Sequence, residues 1–289
     1  MVASVPPAHR AYLARLGLEA EPPSVDALFR LHRAHAERVP YETLWIHLGE
    51  RWGIDPAESL TRIAQQGRGG YCFHLNGALS ELLLALGYDV RRHVGGVHGP
   101  AGATEAELTN HLVLTVHGLP SDTNRAGVWY ADVGLGDALH EPLPLVAGSY
   151  RQGPFHLVLS ETPGSAGDWH LSHDPLGGFT GMAWRSAPTS MDAFSERHAW
   201  LSSSPDSGFV RVLTAQRRDA TGTDALRGLS LRRIGDRAID ATLATEVELF
   251  EVLADVFALD VSVIDPAQRG AVFAKVRIEH EAWEAAGRP

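Results

Sequence analysis

The chain changes periodicity once, near Gly87 and Tyr88, and this limits its possible folds more than any other feature. Upstream, Leu75, Leu79, Leu82 and Leu86 recur at i, i+4, i+7 and i+11. That is one apolar stripe of a helix, and Gly87 is suited to end it. Ser24 is placed to cap an earlier helix in which Leu28, Leu31 and His35 share a face before Pro40 stops it. Downstream, "VRRHVGGV", "HLVLTVHG" and "VWYADVG" are short β-prone runs separated by Gly, Pro, Asn and Asp. "HLVLSE" (156–161) and "DWHLSH" (168–173) extend the pattern. Past residue 190 the texture is mixed. "GFVRVLTAQRR" (208–218) and "LSLRRIG" (229–235) read as strands, and "EVELFEVLADVFA" (246–258) as an amphipathic helix. The expectation is an α+β protein with a helical part over 1–88, a largely antiparallel β part over 89–190 and an α/β part over 191–289.

Composition excludes several classes. A chain of 289 residues exceeds what one core usually holds, so sub-domains on a shared interior are expected. Hydrophobic residues make up 44% and charged residues 21%, which fits a globular protein with ample core material. A net charge of -10 argues against a nucleic-acid surface. No apolar run approaches the roughly 18 residues of a membrane span. The opening MVASVPPAHR has no basic region followed by an apolar one, so the reading predicts no signal peptide, no membrane partner and a cytoplasmic protein. One Cys can form neither an internal disulfide nor a Cys-based zinc site.

That one Cys stands in "RGGYCFHLN" (68–76), one turn before Leu75 and so at the start of the predicted helix. A lone Cys is ordinarily a small buried hydrophobe. At a helix N-terminus, however, unpaired N–H groups and the dipole favour the thiolate. Gly69 and Gly70 before it allow close backbone approach to a ligand. A nucleophile there needs a base and an orienter. Fifteen histidines make His alone uninformative, and His9, His32 and His280 read as structural or solvated. Geometry singles out His111. "NHLVLTVHG" and "VWYADVGLG" flank the turn-rich "LPSDTNRAG" (119–127). If they pair about 121–122, partners sum to about 243 and His111 faces Asp132, close enough for a carboxylate to hold the imidazole. Cys72, His111 and Asp132 then form a nucleophile, general acid/base and orienter.

"RGGYCFHLN", "NHLVLTV" and "ADVGLG", in that order and spacing, resemble the arylamine N-acetyltransferase family. "AYLARLGL" (11–18), "LHRAHAERVPYETLWIHLG" (31–49), "EPLPL" (141–145) and "SSSPDSGFVRVLTAQRR" (202–218) carry the resemblance over almost the whole chain. It implies a helical bundle, a β-barrel and an α/β lid around a cysteine-protease-like catalytic core. It implies catalytic roles for Cys72, His111 and Asp132, and a ping-pong transfer of acetyl from acetyl-CoA, a co-substrate, through the Cys to an arylamine or hydrazine, with no metal. By the same resemblance Arg68 is a structural ion-pair former, and Gly70, Tyr71, Phe73, His74, Gly134, Leu135 and Ser207 are candidate substrate or coenzyme A contacts. Four residues depart from the family pattern: His74 for Glu or Gln, Leu135 for Phe, Asn110 for Thr, and His198 for Asn. They are expected to touch the substrate cleft. They leave open an alternative, an amide synthase of secondary metabolism using the same trio with another acyl donor or a chain bound to an acyl carrier protein.

Overall fold

A computed structural model describes residues 5–102 and 104–286. The helical part comprises α1 (Pro7–Leu16), α2 (Val25–Arg38), the two-residue strand β1 (Tyr41–Glu42), α3 (Leu44–His47), α4 (Pro56–Gln66) and α5 (Cys72–Ala85). Ser24 caps α2 as expected, its hydroxyl accepting from the Ala27 N–H at 3.1 Å. The α5 helix is wider in its burial than the leucine stripe implied. Phe73, His74, Asn76, Ala78 and Ser80 are buried along with Leu75, Leu79 and Leu82. It lies between α4 and the first strands of the β part, so only its last turns, at Glu81, Leu84 and Ala85, reach solvent, and each buried Leu contributes about 1.5–3 kcal/mol.

The β part holds β2 (Asp89–His98), β3 (His111–His117), β4 (Trp129–Ala131), β5 (Leu143–Pro144), β6 (Gly148–Gln152), β7 (Phe155–Ser165), β8 (Gly167–Ser172) and β9 (Gly181–Pro188). They form one antiparallel sheet in the order β5-β4-β3-β2-β9-β8-β7-β6. Its two end strands are consecutive in the chain, three residues apart, so the sheet curls into a nearly closed barrel. Val113, Tyr130, Phe155, Leu157, Leu171 and Trp184 fill it. Leu112, Leu114 and Val116, alternating on β3, face the helical core instead. Every residue of β3 up to Val116 is therefore buried.

The rest comprises α6 (Ser195–Ser203), α7 (Gly208–Arg211), β10 (Thr214–Arg218), β11 (Gly222–Arg227), β12 (Ser230–Gly235), β13 (Ile239–Thr242), α8 (Glu246–Asp255) and α9 (Pro266–Ala285). The strand expected over 208–218 is present only from Thr214. Its first residues wind into a single turn, because the Ser207 hydroxyl accepts from the Phe209 N–H at 3.2 Å and so starts a helix. The second sheet runs β1-β10-β11-β12-β13, with Tyr41 opposite Gln216 and Glu42 opposite Ala215. A strand from the first fifth of the chain thus edges a sheet built by the last third. Among the described residues, no helix is long and apolar enough to cross a membrane.

Candidate active site

Cys72 is the first residue of α5, and the turn before it is tied down from three directions. Gly70 has φ +136°, and a Cβ there would lie 2.7 Å from the His74 Cβ, so only glycine fits. Its carbonyl accepts the Glu42 N–H at 2.9 Å. Glu42, fully buried, accepts the Leu44 N–H at 2.6 Å through one carboxylate oxygen and meets Arg68 at 3.4 Å through the other. Arg68 also reaches Glu50 at 3.5 Å and lies over the Trp52 ring, and Arg15 donates to its carbonyl at 2.6 Å. Arg68 is thus buried between two carboxylates. The His74 and Leu75 N–H groups return to the Tyr71 carbonyl. Those of Cys72 and Phe73 have no intrahelical acceptor, as helix geometry requires.

His111 and Asp132 meet, but not as directly opposed residues. Strands β3 and β4 pair Leu114 with Ala131 and Val116 with Trp129, a sum of 245 rather than 243. The shift is two residues, so the face is preserved and the two become diagonal neighbours just past the end of β4. His111 Nε2 donates to Asp132 Oδ2 at 2.8 Å. The Tyr130 hydroxyl donates to the same oxygen at 2.8 Å. Oδ1 accepts from Asn76 Nδ2 at 2.7 Å and from the Gly134 N–H at 2.9 Å. Asn76 further accepts the Val133 N–H at 2.9 Å and donates to the Leu112 carbonyl at 2.7 Å. The Asp132 N–H donates to His32 Nε2 at 3.1 Å, and the other nitrogen of His32 donates to the His140 carbonyl at 2.9 Å. Burial holds His32 near pKa 4, so this imidazole is a neutral strut. Gly134 presses onto the start of α5: a Cβ there would fall 2.7 Å from the Cys72 Cα.

The charges follow from these contacts. Burial pushes the His111 imidazole down, but Asp132 and Cys72 outweigh it and raise the pKa to about 10. Burial likewise pushes Asp132 up, and His111, Asn76 and Tyr130 together bring it below its ordinary value. Folding therefore favours protonated His111. That stabilisation is whole below its ordinary value of 6.5, declines above it and is lost as the pH passes about 10. Asp132, being depressed, adds stability that is lost only in acid, outside this window. The melting-temperature gap between wild type and His111→Gln is expected to be widest at about pH 6 and to close towards about pH 10. A pH-independent gap in a fluorimetric melt would refute the charge assignment.

Cys72, Asn110, His111, Gly134 and Leu135 share one wall of a cleft of about 670 Å³. Phe209, Thr214 and Gln216 from the last third of the chain help to line the same cleft. The Cys72 sulfur lies 3.6 Å from the Asn110 carbonyl, and the Asn110 side chain pairs with both backbone groups of Val97 at 2.8 and 3.0 Å. Other expected contacts are elsewhere. Gly70, Tyr71, Phe73, His74 and Ser207 do not line the cleft. His74 is fully buried, its Nδ1 accepting the Tyr71 N–H at 3.3 Å and its ring edge-on to Trp45, Trp52 and His198. His198 bridges the Tyr71 hydroxyl and the Trp52 carbonyl. Ser207 donates to the Leu201 carbonyl at 2.6 Å besides capping α7. Asn76 and Tyr130, which hold Asp132, were not singled out in the sequence, and His32 was read there only as structural or solvated. The available signal was Asn76, four residues after Cys72 and hence on the same helix face.

A family model described as N-acetyltransferase matches residues 24–265. The arylamine N-acetyltransferase of Mycolicibacterium smegmatis is 30% identical over 261 residues, covering 85% of this chain and 86% of that protein. The chain belongs to the arylamine N-acetyltransferase family. It is accordingly an acyltransferase. A pineal gland isozyme of arylamine N-acetyltransferase from Gallus gallus is 28% identical over 250 residues, 78% of this chain and 82% of its own length. Among solved arylamine N-acetyltransferases, that of Salmonella typhimurium superposes with a TM-score of 0.80 at 25% identity, covering 93% of this chain and 99% of its own. That of Mycobacterium marinum, solved in complex with CoA, gives a TM-score of 0.80 at 24% identity, covering 92% and 97%. The α+β fold in three parts is therefore the family's fold.

Proposed function

We propose that the protein transfers acetyl from acetyl-CoA to an arylamine or hydrazine through a thioester on Cys72. The observation that carries this reading is the fully satisfied Asp132–His111 pair beside a cysteine at a helix start. Nε2 of His111 is committed to Asp132, which leaves Nδ1 to exchange a proton with Cys72. In the first half-reaction the Cys72 sulfur, whose proton is already held on His111, attacks the thioester carbonyl, and His111 gives that proton to the departing CoA sulfur. The N–H groups of Cys72 and Phe73, which have no intrahelical acceptor, are the candidate donors to the tetrahedral oxyanion. In the second half the amine attacks the acyl-cysteine, His111 takes the amine proton, and the Cys72 sulfur leaves. The amide is more stable than the thioester, so this half drives the cycle. CoA as the donor is supported by the Mycobacterium marinum relative, solved with CoA.

The three-part division at 1–88, 89–190 and 191–289 fits this reading: the first part carries the nucleophile, the second the base and its orienter, and the third the far wall of the cleft. The amide-synthase alternative rested on four departures from the family. Two of them, His74 and His198, lie in an aromatic cluster and not in the cleft. None of the relatives named above points to a carrier protein, so acetyl-CoA is the donor we favour. Mixed with acetyl-CoA and no amine, the wild-type protein is expected to release one equivalent of CoA in a burst. Peptide mass spectrometry should then find one acetyl group on the Cys72 peptide. Acetyl on another residue, or steady CoA release without an adduct, would sink the reading; the latter indicates a thioesterase.

A further inference from the structure

Several polar side chains that line the cleft are already spent on the protein. His111 is bonded to Asp132, Asn110 to both backbone groups of Val97, and Asp137 to the Gly178 N–H. The Thr214 hydroxyl donates to the Val212 carbonyl at 3.3 Å, and Arg232 is paired with Asp240 at 3.1 Å. Tyr41 and Gln216, which line the cleft with Cys72, are different. Among the described residues neither the Tyr41 hydroxyl nor the Gln216 carboxamide makes a hydrogen bond, and neither is sealed from solvent.

The two are placed as a pair. Tyr41 on β1 stands directly opposite Gln216 on β10, which puts their Cβ atoms about 4.5–5.5 Å apart on one face of the sheet. Their strand neighbours Glu42 and Ala215 turn to the other face and are fully buried. Tyr41 also bridges Gly70, which precedes Cys72 by two residues, a span of at most about 7 Å. Its ring is edge-on to Phe209, another residue of the cleft wall, at 6.1 Å. Burial first, then the charges of Cys72, Tyr71 and Asp137, push the Tyr41 pKa well above its ordinary value. It stays an O–H, able to donate and to accept. The Gln216 head lies against the Gly136 backbone, where a Cβ would collide with Oε1.

A hydroxyl beside a carboxamide offers a donor and an acceptor together, which is what a secondary amide requires. The acyl donor carries such a group at a fixed reach. In an acyl-CoA the first amide nitrogen is three bonds from the thioester sulfur, roughly 4 Å away. A thioester carbonyl brought to Cys72 therefore carries that amide into the same part of the cleft. Resting on the acyl-transfer reading above, we infer that Tyr41 and Gln216 select the acyl donor by holding this amide, Gln216 accepting its N–H and Tyr41 donating to its carbonyl. A donor whose arm lacks the N–H sets an oxygen against the Gln216 oxygen. A site built to meet a hydrogen-bond donor rejects the analogue without one.

The test compares two short donors with like leaving thiols. S-Acetyl-N-acetylcysteamine keeps the amide, and 2-acetoxyethyl thioacetate has an oxygen in place of its N–H. Acetylation of Cys72 is timed without amine, by quenching and protein mass. The wild type is expected to take acetyl from the amide donor about tenfold faster than from the ester. Gln216→Leu should bring the two within about twofold. Tyr41→Phe, which keeps the ring, should slow the amide donor about fivefold relative to p-nitrophenyl acetate, which has no arm. Equal wild-type rates with amide and ester, or a wild-type ratio retained in both variants, overturns the inference. If Gln216→Leu melts far below the wild type, the wild-type ratio and Tyr41→Phe decide. No acetyl on Cys72 even from p-nitrophenyl acetate overturns the acyl-transfer reading itself, and this inference with it.

Discussion

Cys72→Ala is expected to lose acetyl transfer by about 10⁵-fold or more while keeping its fold. The residue is only 4% exposed and its removal takes away a single sulfur, so the melting temperature should move by a few degrees at most. No other thiol exists in the chain to take over. Cys72→Ser is the sharper variant because it preserves shape. A hydroxyl is far harder to deprotonate than a thiol, and it makes an oxygen ester that exchanges poorly with a thioester. Its loss should therefore be nearly as large as that of alanine. Stopped-flow CoA release and the mass of the protein are the readouts. Residual turnover within about a hundredfold of wild type in either variant would remove Cys72 from the chemistry.

Asp132→Asn is expected to fold and to lose about 10³–10⁴ in kcat/KM. All four bonds to this carboxylate come from donors: His111, Tyr130, Asn76 and Gly134. An asparagine offers one oxygen and one NH₂. The oxygen can keep Asn76 and Gly134, which leaves the NH₂ facing His111 and Tyr130. The tyrosine hydroxyl rotates to accept, and the imidazole changes tautomer to present a bare Nε2. Its proton then sits on Nδ1, the nitrogen that must accept one from Cys72. The scaffold survives because the Asp132 main chain is still anchored to His32. Without the carboxylate His111 also loses what holds its pKa near 10, so the residual activity should rise with pH through a lower range. Asp132→Ala leaves four buried donors unmet and should be less stable than Asp132→Asn by at least about 1–3 kcal/mol. An Asn variant within tenfold of wild type would show that the pair orients nothing.

How far the sequence carried these features can be read from particular residues. Cys72, His111 and Asp132 were legible because each is a reactive type in a motif with its own local reason. The strands were legible as short apolar runs between turn formers, yet their register missed by two, since Asp132 follows the end of β4 and the ladder does not extend to it. His74 was misplaced into the cleft for want of a rotation. At about 100° per residue it points about 200° away from Cys72, whereas Asn76 points within about 40° of it. That one angle exchanges a supposed substrate contact for the residue that holds Asp132. The partnership of His32 with Asp132 has no such signal, since a hundred residues separate them. The long helix α9 went unremarked, although its Asp265 cap and Pro266 are ordinary start signals. The turn at 208–211 hid in a run that alternates like a strand.

The pairing of β1 with β10 has a consequence for synthesis. Glu42 receives its neighbour Ala215 only after another 170 or so residues have been made. Until then the edge that carries the Gly70 turn is open, and a nascent chain ending before Thr214 presents Cys72 on an unfinished support. Contacts this distant in sequence close late and slowly. On the proposed mechanism, an incompletely translated protein therefore carries Cys72 without the support that directs it.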